Sequence, residues 1–169
     1  MESIKELRTS PHRTELPPTR MLVFDVFRYQ MRILPVLLGW GLGSIAAGWL
    51  WWRSRHPLVR GAGVQFVVWG AIDALIGLIG LRLALDNAAR LADGAMTLPE
   101  HDQQTRRFEQ VLLINAALDV LYMLSGAWMA RHYRDREWRR GMGWGIVLQG
   151  AFLFFFDLVN GLIVHRKRA

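Results

Sequence analysis

Three aspartates stand inside long apolar stretches of the sequence, where an ionisable side chain is costly. They are Asp73, Asp119 and Asp157, and their stretches contain no Lys or Arg. Counted from the ends of the stretches that face the two termini, each aspartate lies roughly 10–14 Å along a helix. The three carboxyl groups are therefore predicted to occupy one layer of a membrane.

Amide and hydroxyl side chains accompany these aspartates at helical spacing. Asn115 precedes Asp119 by four residues and Tyr122 follows it by three, so the three side chains share a helix face. Such a cluster is predicted to face the interior of a helix bundle, because contact with lipid would leave polar groups unsatisfied. The whole predicted polar layer consists of Asp73, Asp119, Asp157, Asn115, Gln65, Gln149, Tyr122 and Asn160.

Two interpretations of this layer are open. In the first, the protein has a structural or accessory role, and the aspartates are protonated hydrogen-bond links between helices, because several carboxylates cannot all ionise in a low dielectric. In the second, they bind or transport a proton, a cation or a small polar solute. An intramembrane enzyme with an Asp pair as acid and base has no supporting motif, so enzymatic activity is not favoured.

Other site chemistries find little support in the sequence. The absence of Cys excludes thiol redox chemistry and Cys-based metal sites. The five His lie outside the apolar stretches or at their ends, which disfavours a haem held between helices. Glu100, His101 and Asp102 are consecutive on a helix and point apart, so no metal site and no cofactor is predicted.

The elements that position the layer are four apolar stretches of about 20 residues, each long enough to cross a bilayer. They predict an all-α membrane protein with four transmembrane helices arranged as two repeated helical hairpins. Residues 1–20 are predicted to be a disordered polar tail. Residues 21–32 are predicted to form an amphipathic interfacial helix, which joins the first span at Pro35. Residues 33–169 are predicted to form the four-helix membrane domain. The predicted spans are residues 33–52, 62–81, 111–130 and 142–164.

An internal repeat relates the second and fourth spans. The framework Gly-x3-Gln-x7-Asp-x3-Gly begins at Gly61 and recurs, shifted by 84 residues, at Gly145. We interpret the chain as a duplicated hairpin. Because each unit holds two spans, the units are predicted to be related by a pseudo-twofold axis along the membrane normal.

Small residues at i, i+4 spacing predict where helices approach closely. The predicted packing positions are Gly39, Gly43 and Ala47 in the first span, and Gly70 and Ala74 in the second.

The partners predicted from the sequence are the lipid bilayer and either a second copy of the chain or a larger membrane complex. The formal charge of +7 comes from basic residues at the ends of the spans. Without a base-reading motif, they indicate anchoring at headgroups and no nucleic-acid binding. Cytoplasmic termini are predicted, because a charged N-terminal tail is difficult to translocate without a signal.

The third and fourth spans carry a resemblance to a known family. The stretch LINAALDVLY at residues 113–122, followed by QGAFL at 149–153 and by Phe156-Asp157, resembles a bacterial family of small four-helix membrane proteins with no assigned function. Residues 69–73 resemble the same family's second span, where Asn is more usual at position 73. The resemblance covers roughly residues 34–163 and implies four spans in a bacterial plasma membrane. It implies no activity, and the departure at position 73 favours Asp119 and Asp157 as functional residues.

Overall fold

The computed structural model describes residues 24–168, and within that range the chain forms helices and no strand. This confirms the predicted all-α fold with four helices. The helices are α1 (Val26–Trp52), α2 (Pro57–Ala92), α3 (Leu98–His132) and α4 (Glu137–Arg168). Each predicted span lies within one of them.

Helix starts follow local signals in the sequence. The side chain of Asp25 accepts hydrogen bonds from two backbone N–H groups in the first turn of α1. Pro57 occupies the first turn of α2, where its missing N–H costs nothing. Thr97 and Glu100 form a reciprocal capping box at the start of α3. Gly94, with φ at 72°, provides the left-handed turn between α2 and α3.

The N-terminal part of α1 requires a correction. The prediction placed a separate interfacial helix at residues 21–32 with a join at Pro35, but α1 runs without interruption from Val26 to Trp52. The helix is held on both sides of the proline: Val26 packs at the end near the termini, and Leu37 packs deeper in the bundle. The predicted tail and residues 21–23 lie outside the described residues.

Helices α1 and α2 pack closely along glycines. A Cβ atom placed at Gly70 would lie 2.7 Å from the carbonyl oxygen of Gly41, and one placed at Gly63 would lie 2.8 Å from that of Gly48. Backbones therefore touch along this contact. The face of α1 that packs on α2 differs from the predicted one, because a Cβ at Gly39 or Gly43 would have no atom of another described helix within 4 Å.

The two helical pairs meet through α2 and α4. A Cβ at Gly61 would collide with the backbone of Trp138, and a Cβ at Gly141 would collide with the backbone of Leu58. Within the second pair, α3 and α4 approach each other where Gly126 faces Gly143. The bundle therefore consists of α1 on α2, α2 on α4, and α4 on α3.

All four helices are long and apolar enough to cross a membrane. Only 22–33% of the most apolar window of each helix is buried inside the chain. Helices α2 and α3 also continue beyond the predicted spans, towards the termini. There Leu91 and Met96 join Val26 and Phe27 in a buried apolar cluster, which we call the end cluster.

Candidate functional site

A cavity of about 220 Å³ lies between α2 and α3, at the level of the predicted polar layer. Helices α1 and α4 supply its remaining walls. The lining is mostly aliphatic and aromatic, with four carboxyl or amide side chains among them. These polar lining residues are Asp73, Asn115, Asp119 and Asp157.

The three aspartates reach this cavity from three different helices. Asp73 comes from α2, Asp119 from α3 and Asp157 from α4, and the three residues are 2%, 6% and 7% exposed. The Oδ2 atoms of Asp73 and Asp119 are buried and have no hydrogen-bond partner among residues 24–168. A buried carboxyl oxygen without a partner is costly, so these two groups are poised to accept a donor or a cation from a ligand.

Aromatic side chains form part of the cavity wall beside the carboxyl groups. The rings of Trp69 and Tyr122 meet edge to face, with centroids 4.8 Å apart, and bridge α2 and α3. Both rings also line a smaller recess that extends from Asp119 to Gln149. Phe156 adds a further ring from α4. Ring faces next to carboxylates are the surroundings that organic cations prefer in proteins.

The cavity opens sideways between α2 and α3. Its lining includes Ile72 and Ile76 on α2 and Val111 and Leu118 on α3, all of which are exposed on the outer surface of the bundle. Towards the termini, the cavity ends at Phe108, which also packs against the end cluster. A ligand would therefore reach the carboxyl groups through the apolar flank of the bundle.

Two of the predicted polar residues are engaged elsewhere. The indole Nε1 of Trp40 donates to Oε1 of Gln149 at 2.8 Å. The hydroxyl of Tyr29 donates to Oδ1 of Asn160 at 2.6 Å. Both bonds join α1 to α4, so Gln149 and Asn160 link helices in the way the structural interpretation describes. Gln65 does not line the cavity and packs where α2 meets Gly145 of α4.

Sequence reasoning missed the two aromatic donors of these links. The sequence analysis gives neither Trp40 nor Tyr29 a role in the polar layer. A signal was present, because an indole N–H or a phenol hydroxyl on an apolar helix needs an acceptor when it is buried. The amides on α4 were the available acceptors, although spacing along one helix does not show which partner helix supplies the donor.

A second polar cluster, also missed, lies near the termini. Glu109 accepts hydrogen bonds from Arg168 Nε at 2.7 Å and lies 2.7 Å from Nδ1 of His165. The hydrogen bond from Arg168 lowers the pKa of Glu109 below its ordinary value. These residues could have been paired from the sequence, since each lies just beyond the same end of its span. The cluster ties the start of α3 to the end of α4.

His101 is a buried titratable group in the end cluster region. Its ring packs edge to face on Phe27 with centroids 5.4 Å apart, and its Nε2 has no hydrogen-bond partner in the part of the chain that the structure describes. Burial lowers the pKa of His101, against the opposing effect of the carboxylates of Asp25 and Asp102. The imidazole is therefore held in its neutral form at neutral pH.

The arrangement favours some ligands over others. Within residues 24–168, no group of three His, Cys, Asp or Glu side chains could hold a metal ion. The three aspartates thus surround a space without converging on one point. A ligand with a positive group and an apolar body would contact the carboxyl groups and the aromatic walls together.

The fold and site define an all-helical protein with four helices of membrane-spanning length and a carboxyl-lined cavity. The chain belongs to the family of unknown function DUF6992, whose model matches residues 36–158. The predicted membership of a family without an assigned function is confirmed. No curated protein matches the chain, and no solved structure matches it.

Proposed function

We propose that this protein is an integral membrane protein that binds a small amphiphilic organic cation in the cavity between α2 and α3. The observation that carries the proposal is that Asp73 and Asp119 both line this cavity, and that each has a buried carboxyl oxygen without a hydrogen-bond partner among residues 24–168. A ligand ammonium group would supply the missing donors. The aliphatic and aromatic walls would cover its apolar part.

Insertion in a membrane is supported by the outer surface of the bundle. Large apolar side chains are exposed along every helix, and most of each apolar window faces outwards. A soluble monomer rarely exposes an apolar surface of this extent, whereas a bilayer would cover it. The proposed location is the bacterial plasma membrane, with cytoplasmic termini.

The duplication is supported by matched surroundings at the repeated positions. Gly61 and Gly145 both lie where α2 meets α4, and Asp73 and Asp157 both line the cavity. The last glycines of the framework, Gly77 and Gly161, also have matching surroundings. Gly77 packs against α1, and Gly161 packs against α3. We therefore assign the two hairpins to a parallel repeat, with the cavity between the units.

An organic cation suits the cavity better than a metal ion does. Metal ions need several oxygen ligands at one point, a geometry that the three aspartates do not provide. The lateral opening also lies on an apolar flank, where a hydrated ion would have to lose its water. A protonated amine with a hydrocarbon chain can enter from the lipid phase and keep its chain in apolar contact.

A structural function is the second candidate, and the links from α1 to α4 favour it. Trp40 and Tyr29 bond to Gln149 and Asn160, which supports a packing role for part of the polar layer. In this alternative the aspartates would also serve packing, and no ligand would be required. The two candidates differ in whether the carboxyl groups respond to a cation.

Thermal unfolding of the purified protein distinguishes them. Hexylammonium would be added to the wild type and to the variants Asp119→Asn and Asp157→Asn. Two control ligands would be tested in parallel: hexanol, which has the alkyl chain without the charge, and sodium chloride, which supplies a cation without the chain. Asp86→Asn serves as the matched control, because Asp86 lies on α2 with an exposed carboxylate paired to Arg82. A ligand present at a hundredfold excess over its Kd should stabilise the folded state by about 2.7 kcal/mol.

We expect hexylammonium to raise the unfolding temperature of the wild type and of Asp86→Asn, and to have little effect on the two site variants. Hexanol and sodium should not reproduce the shift. Equal shifts in all four proteins would place the ligand in the micelle and refute the cation site. Unchanged unfolding in every protein with every ligand would favour the structural function.

A further inference from the structure

A groove rich in arginine lies at the opposite end of the bundle from the termini. It is formed by the end of α3, the following loop and the start of α4, and its volume is about 420 Å³. Arg131, Arg134 and Arg140 line it, together with Trp144. Its remaining lining consists of two small residues, Ala127 and Ala130.

None of the guanidinium groups of Arg131, Arg134 and Arg140 has a carboxylate within ion-pair distance among the described residues, although Asp135 lies in the same loop and Glu137 begins α4. Arg134 donates only to the carbonyl oxygen of Arg131, at 3.5 Å, which leaves its terminal amino groups available. Three unpaired guanidinium groups around one groove repel each other and create a site for an anion.

The arginines around the loop between α1 and α2 have different surroundings from those of this groove. There Arg53 lies over the ring of Trp49 at 4.9 Å, and Arg60 lies over the ring of Trp138 at 5.7 Å. Cation–π contacts hold these arginines against aromatic faces. Among residues 24–168, the three arginines that line the α3–α4 groove have no such contact, although Arg139 in the first turn of α4 lies over the ring of Tyr133 at 4.6 Å.

The position and the lining of the groove identify the anion. Trp144 is 45% exposed and lies at the end of the fourth predicted span, where tryptophan marks the level of lipid headgroups. The small side chains of Ala127 and Ala130 leave an apolar floor beside the arginines, as an acyl chain requires. Arginine forks match the oxygens of a phosphate group with paired hydrogen bonds.

We propose that this groove binds the phosphate headgroup of an anionic phospholipid, with one acyl chain on the alanine floor. The site is independent of the cation cavity and would exist whether or not that cavity binds a ligand. The net positive charge of three arginines favours a lipid with a net negative headgroup over a zwitterionic one.

Native mass spectrometry of the delipidated protein tests the proposal. Dioleoyl phosphatidylglycerol, dioleoyl phosphatidylcholine and inorganic phosphate would each be titrated into the wild type. The groove variant replaces Arg131, Arg134 and Arg140 with Gln. The control variant makes the same charge change in the other loop, at Arg53, Arg55 and Arg60.

We expect the wild type and the control variant to retain one phosphatidylglycerol, and the groove variant to bind it about tenfold more weakly or worse. Ala127→Leu leaves the charge unchanged and fills the floor, so it should weaken lipid binding too. Equal losses in the groove and control variants would overturn the proposal in favour of general surface charge. Phosphate binding as tightly as the lipid would show a free-anion site, and equal retention of phosphatidylcholine would remove the role of charge.

Discussion

Helix α1 has two faces that carry glycine, and only one of them contacts α2. Substitutions on the two faces are therefore predicted to have different effects on stability. Replacing Gly70 with Ala would put a Cβ atom 2.7 Å from the carbonyl oxygen of Gly41 and 2.8 Å from Cβ of Ser44. Non-bonded atoms prefer separations of about 3.5–4.0 Å, so α1 and α2 would have to move apart by roughly 1 Å. Overpacking of this kind costs about 1–3 kcal/mol.

Gly39→Ala provides the matched control. A Cβ atom at Gly39 would have no atom of the other described helices within 4 Å, so the substitution meets no obstacle there. Alanine is favoured over glycine in a helix by about 1 kcal/mol, and the variant should be as stable as the wild type or slightly more so. The two substitutions add the same methyl group to neighbouring helices and should have effects of opposite sign.

The assay is reversible unfolding in mixed micelles, with dodecyl sulfate as denaturant and far-ultraviolet circular dichroism as the signal. We also expect Gly41→Ala to destabilise the fold, and its effect should not add fully to that of Gly70→Ala, because both act at one contact. If Gly39→Ala lost as much stability as Gly70→Ala, packing of α1 on α2 through Gly41 and Gly48 would be refuted. The predicted face with Gly39 and Gly43 would then be favoured.

Three further predictions concern the polar contacts. Trp40→Phe keeps a ring in place but removes the donor to Gln149, so the free energy of unfolding should fall by about 1–3 kcal/mol. The hydrogen bond from Arg168 lowers the pKa of Glu109, so the Glu109 carboxylate stabilises the folded wild type above the ordinary pKa of 4.5. The wild type loses this stabilisation as the pH falls below 4.5. Glu109→Gln has no carboxylate at this position, so its stability should not show that loss. Burial lowers the pKa of His101, so the wild type should lose stability as the pH falls below 6.5, and His101→Gln should lose less.

Each of these predictions has a contrary result. Unchanged stability of Trp40→Phe would show that the indole bond to Gln149 contributes nothing. Parallel pH profiles for the wild type and Glu109→Gln below pH 4.5 would remove the link to Arg168. A His101→Gln profile identical to that of the wild type would place the acid sensitivity on another group. Unfolding temperature against pH, measured in one detergent, checks the last two.

The four helices could be predicted because their signals are local. Apolar stretches of about 20 residues set the spans, and the connection between α2 and α3 contains local breakers of its own, the Asp93-Gly94 turn and Pro99. The continuity of α1 through Pro35 could not be read in the same way. It depends on contacts with α2 and the end cluster, which hold the helix on both sides of the proline.

The packing face of α1 shows where local pattern was ambiguous. Gly39 and Gly43 form one small-residue face, and Gly41 and Gly48 form another. A comparison across helices would have favoured the second face, because the seven-residue spacing of Gly41 and Gly48 also occurs in α2 between Gly63 and Gly70. A contact between two helices depends on the surfaces of both helices, and the sequence of one helix shows only one of these surfaces.

The sequence pattern singled out the three aspartates of the candidate site, but it did not show the shape of the site. Helical spacing placed Asp73, Asp119 and Asp157 in one layer, and the structure puts them around one cavity. Whether a polar side chain bonds across the bundle, as Gln149 does, or lines an open space depends on how the surrounding volume is filled. That volume is set by side chains from all four helices together.

Equilibrium binding of radiolabelled hexylammonium to the protein in lipid nanodiscs tests the cation site most directly. The double variant Asp73→Asn with Asp119→Asn, which changes the two residues that have unpartnered carboxyl oxygens, and the control Asp86→Asn would be measured beside the wild type and beside empty nanodiscs. We expect saturable binding of one hexylammonium per chain in the wild type and the control, and only the uptake of empty nanodiscs in the double variant. Saturable binding that survives in the double variant, or its absence from the wild type, would contradict the assignment of the cavity as a cation site.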